Sequence, residues 1–245
     1  MRAWWNSGKR GQMVQQIVAI GGAGLSTEGD DLLLEKYILS LSAAASPKIC
    51  FVGTASGDAQ TSIDRFYDAC TRLTCTPTHL SLFKPPSNDL ADYLLEQEII
   101  YVGGGNTKNL LILWRAWGLD AIMRRAYERG IILCGVSAGS ICWFAQGTTD
   151  SLFGALTPIT CLGFLPGSNS PHYDTEPERR PTYHRLIASG EISDGYAADD
   201  GVGLHFVDGS LHRIVSSRSD ARAYRVERGD DGAVETELTP TYLGA

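Results

Sequence analysis

Ile131-Ile132-Leu133-Cys134-Gly135-Val136-Ser137-Ala138-Gly139-Ser140 is the stretch on which the reading of this chain turns. Its first four residues are apolar and read as a strand buried on both faces. Gly135-Val136-Ser137-Ala138-Gly139 then fits G-x-S-x-G, and residues 138–146 are expected to continue as a helix. A serine on such a strand-to-helix turn is a nucleophile elbow. A side chain at either glycine would crowd a turn that forces the serine into strained backbone. The helix start would aim free N–H groups and a positive dipole end at the serine, which suits an oxyanion. The competing reading is a glycine-rich turn with an ordinary serine, and the flanking sequence decides between them.

Upstream, short apolar runs alternate with amphipathic ones. Strands are expected over 16–20, 48–54, 79–83 and 98–102, and helices over 30–45, 59–73, 90–96, 108–117 and 120–129. Buried rather than alternating strand patterns imply a parallel sheet covered on both faces. The expected fold is α/β, a three-layer sandwich around a mostly parallel sheet, formed by one domain over 1–245 with 1–12 as a loose N-terminal extension. Ligands of such sheets bind at the carboxyl ends of strands. Gly21-Gly22-Ala23-Gly24, Gly103-Gly104-Gly105 and Ser137 all fall at such ends. Gly22-Ala23-Gly24-Leu25-Ser26-Thr27 lacks both the third glycine of a dinucleotide fingerprint and the Gly-Lys-Ser/Thr of a P-loop, so it reads as a plain strand-exit loop. Downstream of the elbow, residues 147–183 read as loops with short strands, one including 163–165. Residues 201–207 and 211–215 read as a hairpin, followed by a strand over 221–227.

The formal net charge of −7 and the lack of a dense basic run argue against a nucleic-acid surface. No apolar run approaches the roughly 20 residues of a membrane span, and the first ten residues lack the apolar core of a signal peptide. A cytoplasmic location is the resulting expectation. The six cysteines form no C-x-x-C pair and read as buried free thiols.

A serine nucleophile needs a base, and the base needs an orienting acid. Of the five histidines, His172 in Ser170-Pro171-His172-Tyr173-Asp174 lies in the irregular region after the elbow. Asp150 lies between Ser137 and His172 in the chain, and Asp174 and Glu176 are rival acids. The spacing of His172, Asp174 and Glu176 matches no helical ligand pair, so no metal and no cofactor are expected. The amide of Ala138 and the bare backbone at Gly104 or Gly105 are suited to hold an oxyanion.

Taken together, Val102-Gly103-Gly104-Gly105-Asn106-Thr107, Gly135-Val136-Ser137-Ala138-Gly139, Thr148-Thr149-Asp150 and Pro171-His172-Tyr173 resemble the peptidase E and cyanophycinase family of serine peptidases. That family has a class I glutamine amidotransferase-like fold, in which the amidotransferases carry cysteine at the elbow. The resemblance spans roughly residues 15–220. It implies Ser137 as nucleophile, His172 as base, Asp150 as acid, and Gly104, Gly105 and Ala138 as oxyanion hole. In peptidase E an arginine after the catalytic histidine reads an N-terminal aspartate. Here the loop is shorter, and Arg179 or Arg180 is the expected carboxylate ligand, with Asn106 and Tyr173 as neutral contacts. The expected partners are a short peptide and a second copy of the chain. Two other readings are an α/β-hydrolase esterase using Ser137, Asp199 and His212, and a non-catalytic binding protein of the same fold.

Overall fold

A computed structural model of the chain describes residues 13–25, 32–152 and 155–245. The expected N-terminal extension over 1–12 lies outside these residues. The elements, in chain order, are β1 (Gln16–Ile20), α1 (Leu33–Ser40), β2 (Lys48–Val52), α2 (Gln60–Cys70), β3 (Thr76–Leu80), α3 (Leu90–Leu95), β4 (Ile99–Val102), α4 (Thr107–Trp117), α5 (Leu119–Glu128), β5 (Ile132–Val136) and α6 (Ala138–Ile141). There follow β6 (Phe144–Thr149), β7 (Thr157–Thr160), β8 (Leu165–Ser170), α7 (Arg179–Ser189), β9 (Gly195–Ala198), β10 (Val202–Val207), β11 (Ser210–Ser216), β12 (Ala223–Gly229), β13 (Gly232–Leu238) and β14 (Thr241–Tyr242).

Eight strands form the main sheet in the order β14-β11-β10-β1-β5-β4-β2-β3. Its β1-β5-β4-β2-β3 portion is parallel, and β10 joins β1 antiparallel. The strands are apolar on both faces because both are covered. In β1, Ile17 and Ala19 pack toward α3, α4 and α5, with Trp114 and Met123 at the centre of that layer. Val18 and Ile20 face the other way, toward α1 and α2, where Phe51 stacks on Phe66. This is the expected three-layer α/β arrangement.

A second sheet, in the order β13-β12-β9-β8-β6-β7, is built from the chain after the elbow. Residues 147–183, expected as loops with short strands, supply β7, β8 and the end of β6, and the strand expected over 221–227 is β12. Strands β6, β8 and β9 of this sheet run parallel, and α7 covers it through Tyr183, Leu186 and Ile187. The helix expected over 138–146 is cut to one turn, because Phe144 to Thr149 pair with β8 and β7 instead. The β-branched Thr148 and Thr149 at the end of that run favour extended backbone, and tertiary pairing decides the outcome.

Candidate active site

Ser137 follows β5 with φ 56° and ψ −114°, a backbone region that costs a non-glycine residue on the order of 1–3 kcal/mol. The turn is held by close backbone approach. A Cβ on Gly135 would lie 2.5 Å from the Gly139 carbonyl oxygen, and one on Gly139 would collide with that of Val102. The Ser137 N–H donates to the Ile20 carbonyl at 3.1 Å, which ties the elbow to the end of β1.

His172 leaves β8 two residues after Ser170, and its Nε2 lies 2.8 Å from Ser137 Oγ. Its Nδ1 lies 2.7 Å from Oδ1 of Asp200, which leaves the neighbouring parallel strand β9 two residues after Ala198. The hydroxyl, imidazole and carboxylate thus form one continuous relay. Asp200 is held in turn: its Oδ2 accepts from Thr175 Oγ1 at 3.2 Å, and its amide donates to Asp174 Oδ1 at 2.9 Å. Arg218 Nη1 donates to Asp174 Oδ2 at 2.7 Å and to the Asp200 carbonyl at 3.2 Å. Burial works to raise the Asp200 pKa, but the hydrogen bond and charge of His172, with Thr175 and Arg218, outweigh it and hold the carboxyl below its ordinary value.

The loop after β1 organises this assembly. The Gly21 carbonyl accepts from the His172 amide at 3.2 Å, and that of Gly22 accepts from the Gly201 amide at 3.0 Å. A Cβ on Gly22 would collide with Asp200 Oδ1 and lie 2.6 Å from His172 Nδ1. Gly22 is therefore glycine because the imidazole–carboxylate pair lies flat against its backbone. The strand-exit loop is the common support of nucleophile, base and acid.

On the other side of the serine, a Cβ on Gly104 would lie 3.3 Å from that of Ser137. Among the described residues no hydrogen bond uses the amide of Gly104 or of Ala138. Both are available to a developing oxyanion. The helix dipole adds little, because α6 is a single turn. A cleft of about 450 Å³ opens here, bounded by Gly24, Gly104, Ser137, His172, Phe51 and Arg65.

Several sequence expectations are corrected. Asp150 is exposed in the turn after β6 and makes no contact with His172; Asp200 occupies that place. Asp150 precedes His172 in the chain, whereas the relay is closed by an acid that follows β9, beyond the histidine. Of the rival acids, Asp174 supports the Asp200 amide and Glu176 accepts from Arg179 Nε at 2.6 Å. Arg179 is 2% exposed, with Nη1 donating to the Thr148 carbonyl at 2.9 Å. Arg180 lies against the rings of Tyr173 and Tyr224 and beside Glu235. Tyr173 is buried and donates to Glu235 at 2.7 Å. None of these three borders the cleft. Asn106 caps α4 by accepting from the Asn109 amide at 2.9 Å, and its Nδ2 donates to the Ser151 carbonyl at 3.3 Å. Gly105 is turned by its φ of 134° against Ala55, which leaves Gly104 as the glycine facing Ser137. His212 is exposed on β11 and Asp199 bonds the Arg222 amide, so the esterase pair does not assemble at Ser137. Among the described residues, no cluster of three or more His, Cys, Asp or Glu side chains is arranged to hold a metal ion.

The profile of peptidase family S51 matches residues 17–214 of the chain. The chain is 54% identical over 231 residues to a protein of Bacillus subtilis (strain 168) named "Uncharacterized peptidase YgaJ", covering 94% of this chain and 100% of that one. In fold it is similar to the crystal structure of a peptidase from an acI-B1 Actinobacterium, with a TM-score of 0.70 at 17% identity over 94% of this chain and 96% of that one. It is also similar to the structure of a putative peptidase E protein from Listeria monocytogenes EGD-e, with a TM-score of 0.57 at 17% identity over 92% and 100% of the two chains.

Proposed function

The chain belongs to peptidase family S51 and is a serine peptidase, and from that premise we propose that it hydrolyses short peptides through Ser137, His172 and Asp200. The observation that carries this reading is the relay from Ser137 Oγ through the two imidazole nitrogens to Asp200 Oδ1, with bonds of 2.8 and 2.7 Å. His172 Nε2 takes the hydroxyl proton as Oγ attacks the scissile carbonyl. Asp200 holds Nδ1 protonated, so that Nε2 presents its lone pair to the serine, and it stabilises the imidazolium that forms. The carbonyl oxygen, now negative, accepts from the amides of Gly104 and Ala138. His172 then returns the proton to the leaving amine. The acyl-enzyme on Oγ is hydrolysed by a water that His172 activates in the same way. A cleft of about 450 Å³ is of small-ligand size and supports a short peptide as the substrate.

The test is labelling and turnover on one preparation. A fluorophosphonate should modify Ser137 of the wild type. Ser137→Ala should be unlabelled and should turn over no dipeptide, with an unchanged circular dichroism spectrum. Labelling that persists in Ser137→Ala would place the nucleophile elsewhere.

A further inference from the structure

His172 carries the relay on a strained backbone. Its φ is 53°, in the left-handed region that non-glycine residues rarely adopt. Such a conformation persists only where its surroundings over-determine it. Three backbone bonds do part of this. The His172 amide donates to the Gly21 carbonyl at 3.2 Å, the Tyr173 amide to that of Ala198 at 3.2 Å, and the Glu176 amide to that of His172 at 3.0 Å. The next side chain along supplies a further anchor. The turn sends His172 to Ser137 and Tyr173 into the apolar cluster between α7 and the second sheet, with Tyr183, Leu186, Ile187 and Val226.

Tyr173 is buried there, its ring centroid 5.2 Å from that of Tyr224 and 6.2 Å from that of Tyr183. Its hydroxyl donates to Glu235 Oε2 at 2.7 Å. Burial and that carboxylate push the Tyr173 pKa up, so the phenol stays protonated and donating. Glu235 is itself fixed. It stands on β13 opposite Val226 of β12, and the same Oε2 accepts from His184 Nε2 at 2.8 Å and lies 3.5 Å from Arg180 Nε, both on α7. One carboxylate oxygen thus ties together the turn after β8, the helix α7 and the strand β13. Glu235 lies beyond residue 214, where the match to the family profile ends. Neither Tyr173 nor Glu235 borders the cleft, so any part they have in the reaction passes through His172.

We infer that Tyr173 and Glu235 are positioning residues of the peptidase reaction, their bond pinning the left-handed turn that brings His172 to Ser137. The inference rests on the serine-peptidase reading above, and it extends the working part of the enzyme to the β12–β13 hairpin. Removing the bond frees the ring to move within its cluster. The strained turn one residue before it is the part of the backbone with a lower-energy alternative, and it yields first. A displacement of His172 Nε2 by a fraction of an ångström lengthens its 2.8 Å bond to Ser137 Oγ and slows proton transfer, while the substrate contacts stay as they are.

The experiment measures kcat, KM, Tm and the rate of fluorophosphonate labelling on wild type, Tyr173→Phe, Glu235→Ala, Glu235→Gln, the Tyr173→Phe/Glu235→Ala double variant and Tyr183→Phe. Tyr173→Phe and Glu235→Ala should each lower kcat by about 10-fold with KM within about twofold, and labelling should slow in step. Glu235→Gln keeps an acceptor oxygen and should recover about threefold or more of that loss. The double variant should be within about twofold of the slower single one, because both changes cut the same bond. Tyr183→Phe is the structural control. It removes a buried hydroxyl from the same cluster, bonded to Ser168 Oγ at 2.7 Å, and should lower Tm while leaving kcat within about twofold. Glu235 is partly exposed on the edge strand of its sheet, so its variants decide the matter if Tyr173→Phe does not fold. A kcat within about twofold of wild type in both single variants, or an equal loss of kcat in Tyr183→Phe, would overturn the inference. With the wild type labelled at Ser137, either result refutes the role of Tyr173 and Glu235 alone. A wild type that is not labelled at Ser137 refutes the serine reading, and this inference with it.

Discussion

Asp200 Oδ1 stands 2.7 Å from His172 Nδ1 because the two residues leave adjacent parallel strands, β9 and β8, whose register pairs Ala197 with Ser170. Asp200→Asn should keep this geometry but present the wrong tautomer to Ser137, lowering kcat by roughly 10⁴-fold. Asp150→Asn should change kcat by less than about threefold, since Asp150 is exposed and away from the relay. Steady-state kinetics on one peptide substrate checks both. A larger loss from the Asp150 variant would restore the acid that the sequence suggested.

Arg218 acts one step behind the acid. Its guanidinium bridges Asp174 and the Asp200 carbonyl, and Asp174 in turn accepts the Asp200 amide. Arg218→Ala should lower kcat by about 10- to 100-fold with KM within about threefold, as expected when a catalytic group is misplaced by a fraction of an ångström or more. Asp174→Asn keeps an acceptor for the Asp200 amide and should lose less than Asp174→Ala. Equal losses in kcat and thermal stability with KM also raised would mark a structural effect instead.

The parts of the site carried by apolar strands and glycines were legible in the sequence. The elbow, the β1 strand and the glycines after β4 all announce themselves through buried runs that end in Gly. The second sheet did not. Its central strand β8, Leu165-Pro166-Gly167-Ser168-Asn169-Ser170, is polar, yet Ser168, Asn169 and Ser170 are fully buried. Each is satisfied by a side chain from elsewhere in the fold. Ser168 pairs with Tyr183 at 2.7 Å, Asn169 accepts from Ser140 at 3.1 Å, and Ser170 accepts from Thr148 at 2.8 Å. Hydrophobic periodicity is blind to a strand whose burial is stabilised by hydrogen bonds rather than apolar contact. Without the parallel pairing of β8 with β9, nothing in the chain order brings Asp200 beside His172. A sharper signal existed in Ala197-Ala198-Asp199-Asp200-Gly201, a small-residue strand running into an acidic turn.

The neighbouring arginines after His172 should separate by stability rather than by substrate affinity. Arg179 is buried, and Arg179→Ala leaves the Thr148 carbonyl and the Glu176 carboxylate without their donor. A loss of about 2–3 kcal/mol, or roughly 5–10 °C in Tm, is expected. Arg180 is 46% exposed over Tyr173 and Tyr224, and Arg180→Ala should cost about 1 kcal/mol or less. Both variants should leave KM within about twofold. A tenfold rise in KM from either would return that arginine to the substrate.

Asp199 gives the protein a pH-dependent stability term. Its Oδ2 accepts from the Arg222 amide at 2.8 Å, while Oδ1 is buried with no hydrogen-bond partner among the described residues. Burial pushes its pKa up from 3.8 to about 6, against the opposing pull of the Arg222 amide. A carboxyl with a raised folded-state pKa favours the native state while protonated. Its contribution is therefore full below about pH 4, falls as pH rises through about 6, and stays lost above that. The stability of wild type relative to Asp199→Asn should decline over this window, by at most about 3 kcal/mol. Urea titrations of both proteins at pH 4, 5, 6 and 7 would measure it. A flat difference would mean that Asp199 ionises at its ordinary value.

Gly22 offers the most direct test of how the site is supported. The Gly22 carbonyl holds the Gly201 amide and its Cα faces the His172–Asp200 pair, so the smallest added side chain meets Asp200 Oδ1 and His172 Nδ1 first. The Cβ of Gly22→Ala cannot be relieved by a flexible side chain moving aside, because both atoms it strikes belong to the relay. Either the imidazole–carboxylate bond lengthens or the β1 exit loop shifts, and that loop also carries Ile20 and Gly21, the acceptors for the Ser137 and His172 amides. Both routes misalign the same three groups. Gly22→Ala should therefore lower kcat by about 10²-fold or more. The cores on either side of the sheet do not involve Gly22, so the circular dichroism spectrum should be retained. Fluorophosphonate labelling of Ser137 should slow in step with kcat, because both report the activated hydroxyl. If turnover falls while labelling keeps its wild-type rate, the relay is intact and the glycine serves substrate entry instead.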